Sequence, residues 1–270
     1  MSAGTSDLGK QHLIESHGAI AGELYDLVGA VHPSLASYLV ASWLDTQLPG
    51  NVDRRRRQAM RIGALSTLGR CGDEFRDETS AALAANMSPA EVVEVVVHTI
   101  PYAGIPKPLN ALFAVEGLFD ERSLLPVALL EPTWQPSDRM NVGLDRIAYA
   151  HPAAAPALQE NLALIAPSLY DYIVAAAFGD IYGRPGLNYA QRQPITIVAL
   201  TAQGDVQNHV RTHINGALNI GMDPKTIVGA LVDIVPLVAP DRVLETMQIA
   251  SAIFAEREAL AGDYSATPDW

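Results

Sequence analysis

Two histidines in the second half of the chain have a spacing that suits proton chemistry. His209 and His213 lie four residues apart in the stretch N-H-V-R-T-H-I-N-G-A-L. On a helix, residues four apart share one face. Because the pKa of a histidine side chain is about 6.5, the pair could transfer protons at neutral pH. Three interpretations stay open: acid–base catalysis, a metal site that Asp205 or Asp233 would complete, and ordinary surface or core histidines.

The elements that must position these histidines are predicted to be almost entirely helical. The capping box of Ser88 and Glu91, with Pro89 at the first helical position, predicts a helix rather than a strand for the valine-rich run that follows. The predicted helices cover residues 24–44, 58–68, 73–85, 89–100 and 107–119 in the first half, and 166–178, 190–202, 205–220, 224–235 and 241–259 in the second. Glycine and prolines predict turns at 102–106 and 184–188.

The second half of the chain repeats the first. Arg76 aligns with Arg211, an offset of 135 residues in a chain of 270. The further aligned identities are Ala82/Ala217, Leu83/Leu218, Met87/Met222, Pro89/Pro224, Val93/Val228, Val97/Val232, Pro101/Pro236, Leu109/Leu244 and Phe119/Phe254. A unit of this length is a duplicated domain, because solenoid repeats have periods of about 20–50 residues. The expected organisation is a first domain at 1–123, a proline-rich linker at 124–137, a second domain at 138–262 and a tail at 263–270.

Composition excludes several classes of partner. The net charge of −12 repels phosphate backbones, so no nucleic acid is expected. No apolar run reaches the roughly 18 residues of a membrane span, and the polar N-terminus does not resemble a signal peptide. The single cysteine, Cys71, fits a reducing cytoplasm. The basic cluster of Arg54–Arg57 with Arg61 has two interpretations, a solvated first helical turn or an anion site at a subunit junction.

Both halves resemble a known family. The segments 192–232, RQPITIVALTAQGDVQNHVRTHINGALNIGMDPKTIVGALV, and 67–119 look like the core of the carboxymuconolactone decarboxylase family, which includes the AhpD-like alkylhydroperoxidases. The resemblance implies tandem all-α domains of the AhpD-like type. It also implies oligomers, here a homotrimer that mimics a hexamer of single domains. It says less about the reaction, since the family contains decarboxylases, peroxidases and members with no assigned reaction.

The resemblance carries over one histidine but not the redox cysteines. The family histidine before a Gly-Ala-Leu run matches His213, and the C-x-x-C pair of peroxidase-type members would fall at Val206 and His209. In the first copy the same three positions hold Cys71, Glu74 and Glu78. One thiol alone cannot run dithiol–disulfide turnover. The chain is therefore not expected to be a peroxidase, and Cys71 is interpreted as a packed small residue.

The two copies have diverged in a complementary way. The first keeps the family loop that contains Tyr102 but has Glu78 in place of the histidine, whereas the second keeps His213 but has lost the loop. The family glutamate that follows an arginine is Gln58 in one copy and Gln193 in the other, which argues against a proton relay through that carboxylate. One competent pocket type per chain is expected, and drift that leaves both pockets degenerate is the alternative.

The predicted function is a cofactor-free lyase or isomerase acting on a small or polyketide-derived organic acid or lactone. Decarboxylation, or a related rearrangement through an enolate, needs a donor for the oxygen charge and a proton carrier. The predicted catalytic residues are His213, as acid or base, and His209, which would orient it or bind a carboxylate; the predicted substrate-binding residues are Tyr102, His98, Gln193 and Glu78. No cofactor or metal is predicted. A metal-dependent lyase or hydrolase and a non-catalytic binding or assembly protein remain the alternatives.

Overall fold

The computed structural model describes residues 53–265 and, before them, only seven separate positions: Lys10, Gln11, Ile14, Gly22, Tyr25, Asp26 and Ala30. The side chains of Ala155 and of residues 260–265 lie outside this description. The chain divides into two compact units, residues 1–51 and 52–270, and the second contains both described repeats. The helix predicted over 24–44 lies outside the described residues, apart from Tyr25, Asp26 and Ala30, which are helical.

The described part of the chain is all-α and contains no strand, which confirms the predicted fold class. The first repeat comprises α1 (Arg54–Leu68), α2 (Asp73–Ala84), α3 (Pro89–His98), α4 (Ile100–Ala103) and α5 (Pro106–Glu121). After a 3₁₀ turn at Pro136–Asp138 come α6 (Arg139–Ala150), α7 (Ala154–Asn161), α8 (Pro167–Asp171), α9 (Tyr189–Gln203), α10 (Gln207–Asn219), α11 (Pro224–Asp233) and α12 (Pro240–Ser265). A π-helical segment, Tyr172–Ile181, continues α8. No described helix is long and apolar enough to span a bilayer.

Equivalent capping residues start equivalent helices in the two repeats. Asp53 accepts a hydrogen bond from the Arg56 backbone at the start of α1. The aligned Asn188 starts α9 with a capping box that includes Gln191. The predicted capping box of α3 is present, with the Glu91 carboxylate 2.9 Å from the Ser88 backbone nitrogen. These caps satisfy the free N–H groups of the first turns and so fix where each helix begins.

The two repeats share one hydrophobic core, and α1 and α9 cross at its centre. Gly63 permits the close approach, because a Cβ there would lie 2.8 Å from Ile195 Cγ2. Fully buried apolar side chains come from both halves, among them Phe75, Phe119 and Ile214. The limits predicted near residues 123 and 138 are therefore limits of sequence repeats that pack as one body.

Four segments differ from the predicted elements. Helices α6 and α7 occupy residues 139–161, where no helix was predicted. The helix predicted over 166–178 continues to Ile181 with the wider π-helical turn. Helix α12 runs to Ser265, past its predicted end and into the predicted tail. The predicted turn at 102–106 begins inside the single-turn helix α4 and is confined to Gly104 and Ile105.

Glycines explain how α6 meets the π-helical segment. A Cβ at Gly143 would lie 1.9 Å from the Val174 carbonyl oxygen, and one at Gly179 would lie 2.2 Å from the Arg139 carbonyl oxygen. Since real Cβ atoms do not approach backbone so closely, only glycine allows this pairing. The contact fixes the ends of both elements, which carry His151 and Tyr182.

Candidate active site

A cavity of about 660 Å³ lies between the first repeat's α4 and the second repeat. Its size falls in the range of small-molecule binding sites. The polar part of its wall comes from six elements: α4, the end of α6, α7, the π-helical segment with the residue after it, α9 and α10. In chain order they supply Tyr102, His151, Asn161, Tyr172, Tyr182, Gln203, His209, Thr212 and His213. The rest of the wall is mainly aliphatic, with Phe178 as its largest apolar side chain.

His213 lies at the buried end of this wall. It is 5% exposed, and its Nδ1 lies 3.4 Å from Gln193 Oε1 on α9. In this orientation Nδ1–H donates a hydrogen bond to the Gln193 oxygen, so the lone pair of the neutral ring lies on Nε2. Burial lowers the pKa of His213 well below its usual value, and the neighbouring His151 and His209 lower it further. The imidazole is therefore neutral at neutral pH and is available as a base.

His151 is a second buried histidine that the sequence did not indicate. Its ring centroid lies 4.9 Å from that of His213, in an edge-on arrangement. Its place depends on Gly216 of α10, because a Cβ there would lie 2.0 Å from His151 Cε1. Burial lowers the pKa of His151 to about 4, and its Nε2 is buried without a hydrogen-bond partner. Gly216 was visible in the sequence, but nothing there connected it with His151.

Three hydroxyl groups form a cluster beside the histidines. The Tyr102 and Tyr182 hydroxyl oxygens are 2.6 Å apart, and Thr196 Oγ1 lies 2.7 Å from Tyr182 and 3.1 Å from Tyr102. Burial raises the pKa of Tyr102 well above its usual value and that of Tyr182 to about 12. Both tyrosines therefore stay protonated and remain hydrogen-bond donors. Because Thr196 donates to Tyr102 in the longest contact, a tyrosine hydrogen can turn to an outside acceptor only by giving up one of the two shorter contacts made by Tyr182.

A buried ionic chain sets the direction of this cluster. Arg192 Nη1 lies 3.3 Å from His98 Nδ1, and His98 Nε2 lies 2.9 Å from Thr196 Oγ1. Arginine only donates, so His98 accepts at Nδ1, carries its proton on Nε2 and donates it to Thr196. Arg192 in turn pairs with Glu94 at 3.3 Å, and Arg184 pairs with the same carboxylate at 2.7 Å. Hydrogen bonds therefore run outward from the ion pair toward the tyrosines.

The structure brings together most of the residues predicted from the sequence. Tyr102, His209 and His213 line the cavity. His98 and Gln193 are fully buried behind the wall, where they contact Thr196 and His213. Glu78 is not part of the cavity wall. Four residues of the site were not predicted from the sequence: Tyr182, Thr196, His151 and Arg192. Arg192 is the arginine that directly precedes Gln193.

At the positions that the repeat relates to the neutral cluster, charged residues from both repeats form ion pairs. Glu78, which aligns with His213, pairs with Arg61 at 2.6 Å, and Arg61 aligns with Thr196. Asp233, which aligns with His98, pairs with Arg57 at 3.1 Å. Burial raises the pKa of Glu78 while Arg61 opposes that shift. The two copies therefore differ in chemistry at equivalent positions, as the complementary divergence of the sequence predicted.

Four of the five arginines in the basic cluster, all except Arg54, form ion pairs with carboxylates among the described residues. Arg55, Arg56, Arg57 and Arg61 each pair with a carboxylate, and their partners are Glu91, Asp53, Asp233 and Glu78 in that order. Arg61 is buried, and the other three are at least partly exposed. The charges of these four arginines are compensated within the protein.

The metal interpretation of the histidine pair has no third ligand in the described part of the chain. Over those residues, no group of three or more His, Cys, Asp and Glu side chains is arranged to hold a metal ion. Asp233, a predicted ligand, instead pairs with Arg57.

Comparison with known proteins gives concordant results. The profile of the carboxymuconolactone decarboxylase family matches residues 33–117 and 167–252, one segment in each repeat. A crystal structure from Burkholderia xenovorans LB400, a "putative gamma-carboxymuconolactone decarboxylase subunit", superposes with a TM-score of 0.59 at 15% identity, covering 93% of this chain and 98% of that one. Peroxisomal protein 2 of Saccharomyces cerevisiae is 24% identical over 161 residues, 51% of this chain and 57% of that protein. The match thus spans little more than half of the yeast protein.

Proposed function

Because this chain belongs to the carboxymuconolactone decarboxylase family, we propose that it is a cofactor-free enzyme that transfers protons on a small or polyketide-sized organic acid or lactone through an enolate. The reaction is decarboxylation or a related rearrangement, the two reactions that share this intermediate. Dithiol-dependent peroxide reduction is not part of the proposal, because the chain has one cysteine, Cys71.

One observation carries the proposal: a neutral buried imidazole and a cluster of protonated hydroxyls meet at the same end of one cavity. The ring centroids of His213 and Tyr102 are 5.7 Å apart. The two rings are in edge-on contact, so a carbonyl compound bound in the cavity against both would have its oxygen near the hydroxyls and its α-carbon near the imidazole. This arrangement supplies a base and an oxyanion donor side by side at one end of the cavity.

The rearrangement route begins with His213 as the base. Its Nε2 takes a proton from the α-carbon, the C–H bond breaks, and the electron pair moves onto the carbonyl oxygen. Tyr102 or Tyr182 donates a hydrogen bond to that oxygen as its negative charge develops. The imidazolium then returns the proton to carbon at the same or a conjugated position, which completes an isomerisation without a net change in protons.

The decarboxylation route reaches the same enolate by a different bond cleavage. The bond between the α-carbon and the carboxylate breaks, CO2 leaves, and its electron pair passes to the carbonyl oxygen. A proton must then be added to carbon, and His213 would deliver one taken up from solvent. The lowered pKa of His213 keeps the imidazole unprotonated at neutral pH. An unprotonated imidazole can remove a proton but cannot deliver one, so the route that begins with proton removal is favoured.

Exchange of α-hydrogens for deuterium tests the proposal without knowledge of the natural substrate. The purified protein would be incubated in D2O with a panel of bicyclic ketones and lactones, 2-tetralone among them, and exchange followed by NMR. At least one compound should exchange faster than in buffer, and His213→Ala should lower that rate by about 10²–10⁴-fold. Asn208→Ala, a change at an exposed position on the same helix and outside the cavity wall, is the matched control. Exchange no faster than in buffer across the panel, or equal rates for wild type and His213→Ala, would contradict the proposal.

A further inference from the structure

Among the described residues, none of those that line the cavity is Asp, Glu, Lys or Arg. Their polar groups include the hydroxyls of Tyr102 and Tyr182, the rings of His151 and His213, and the side-chain amides of Asn161 and Gln203. The rest of the described lining is mainly aliphatic, with Leu158 and Leu162 among its residues. The described wall therefore fits a ligand with a polar group and an apolar body.

The two buried histidines of this wall, His151 and His213, do not supply a positive charge to it. Burial lowers the pKa of His213 well below its usual value and that of His151 to about 4. A bound anion could raise both values, but it would have to overcome the desolvation that lowers them. The geometry agrees, since both rings are buried among other rings, including those of Phe178 and Tyr102.

The nearest cations are already committed to another carboxylate. Arg192 is 0% exposed and lies behind the hydroxyl cluster, where it contacts Glu94 and His98. Arg184 pairs with the same Glu94. A carboxylate bound in the cavity would therefore be buried without an ionic partner, which costs several kcal/mol in order of magnitude. The net charge of −12 would also oppose the approach of an anion.

We infer that the ligand of this cavity is an uncharged carbonyl compound, a ketone or lactone with a bulky apolar body, and not a carboxylate anion. The inference rests on the proposed function in so far as both concern the same site. It selects the rearrangement route, in which a C–H bond breaks and no CO2 leaves, over decarboxylation of a free acid. The carbonyl oxygen accepts hydrogen bonds from the tyrosine hydroxyls, and the apolar body packs against aliphatic residues of the wall such as Leu158 and Leu162.

A pair of probes of equal size and different charge tests the inference by binding alone. 2-Acetylnaphthalene and 2-naphthoate share the same ring and differ in whether the planar substituent is a methyl ketone or a carboxylate. Calorimetric titration of the wild-type protein at about pH 8 should show the ketone binding at least about tenfold more tightly. Tyr102→Phe should weaken ketone binding by about three- to tenfold, through the loss of one hydrogen-bond donor.

A variant that adds a cation provides the complementary measurement. Thr212 lines the cavity at an exposed position, and its hydroxyl contacts only the Asn208 carbonyl oxygen of its own helix, at 2.9 Å. Thr212→Lys should strengthen 2-naphthoate binding and leave ketone binding within about threefold. An unchanged affinity for 2-naphthoate in this variant would contradict the account of charge.

Two results would overturn the inference. Binding of 2-naphthoate as tight as that of the ketone would show that the cavity accepts anions, even if His213-dependent exchange were intact. Failure of both probes to bind at millimolar concentration would show that the cavity is not the ligand site. Conversely, a clear preference for the ketone with no exchange activity would defeat the proposed function and leave the ligand class standing.

Discussion

His213 and Glu78 occupy equivalent positions in the two repeats, but their surroundings give them different chemistry. His213 is a neutral imidazole at the wall of a cavity, with Gln193 as its hydrogen-bond partner. Glu78 is buried against Arg61 and is not part of the cavity wall. At the scale of single residues, the duplication has produced one position suited to proton transfer and one suited to ion pairing.

Alanine substitutions at these two positions should separate the roles. His213→Ala should lower kcat by about 10²–10⁴-fold, the usual size of a general acid–base contribution, and should weaken substrate binding much less. Glu78→Ala should change kcat less, but it should lower the free energy of unfolding by about 3–5 kcal/mol because it leaves Arg61 buried and unpaired. Steady-state kinetics and denaturant titrations on both variants make the comparison. A larger kinetic loss in Glu78→Ala, measured at a temperature where both variants are fully folded, would place the working pocket in the other repeat.

The pH dependence of kcat/KM should report the lowered pKa of His213. Protonation removes the base, and burial moves that protonation to a pH below the usual histidine range. The profile should therefore stay level as the pH falls from about 8 through about 6.5, and should decline only at lower pH. His151→Phe removes one influence that lowers the pKa of His213, so it should move the acid limb upward. An acid limb centred at or above about 6.5 in the wild type would contradict the assignment.

At the scale of elements, the site depends on helices that approach closely where glycine allows it. Gly216 of α10 makes room for His151 at the end of α6. In an ordinary helix interior, Gly→Ala raises the free energy of unfolding by about 1 kcal/mol. A Cβ 2.0 Å from the His151 ring reverses that expectation. A decrease in the free energy of unfolding on Gly216→Ala would therefore indicate that the His151 ring occupies this space, and an increase would indicate that it does not.

Gly216→Ala should lower the free energy of unfolding, measured by denaturant titration, and should alter the NMR signals of the His151 ring. Gly117→Ala is a matched control in another helix, because its new Cβ would meet only Arg76 Nη1, at 3.9 Å; that change should be neutral or stabilising. Adding His151→Ala to Gly216→Ala should recover part of the lost stability, as expected for two groups in contact. A Gly216→Ala variant as stable as Gly117→Ala would show that the ring does not fill this space.

The elements that could be predicted from the sequence are those with local signals. The capping box of α3 predicted where that helix begins. The alignment of His213 with Glu78 identified equivalent positions in the two repeats. Helices α6 and α7 were missed because the repeat alignment stops short of them. The packing of α6 depends on Gly143 and Gly179, whose partners are distant in sequence. Tyr182 and Thr196 were missed for the same reason, since the cluster they form with Tyr102 joins residues 80 and 94 positions away.

At the scale of the whole molecule, matching positions of the two repeats expose apolar side chains. Leu109 on α5 and Leu244 on α12 are aligned by the repeat and are 43% and 60% exposed. Ile105 and Phe113, one turn on either side of Leu109, are 63% and 59% exposed. An apolar stripe of this kind on one helix face is typical of a protein–protein contact. The stripe on α5 supports the prediction of a homotrimer by offering one contact surface per chain.

The trimer predicts a mass in solution of about three times 28.9 kDa, measurable by light scattering coupled to size-exclusion chromatography. Leu109→Glu combined with Phe113→Glu should shift the protein to smaller species, because burying two carboxylates in an apolar contact is costly. Asp120→Lys, at an exposed polar position of the same helix, should leave the mass unchanged. Circular dichroism should show the helical content retained in both variants, so that a loss of mass reflects dissociation and not unfolding. A wild-type protein that stays monomeric at micromolar concentration would contradict the trimer, and a double variant of unchanged mass would place the contact on another surface.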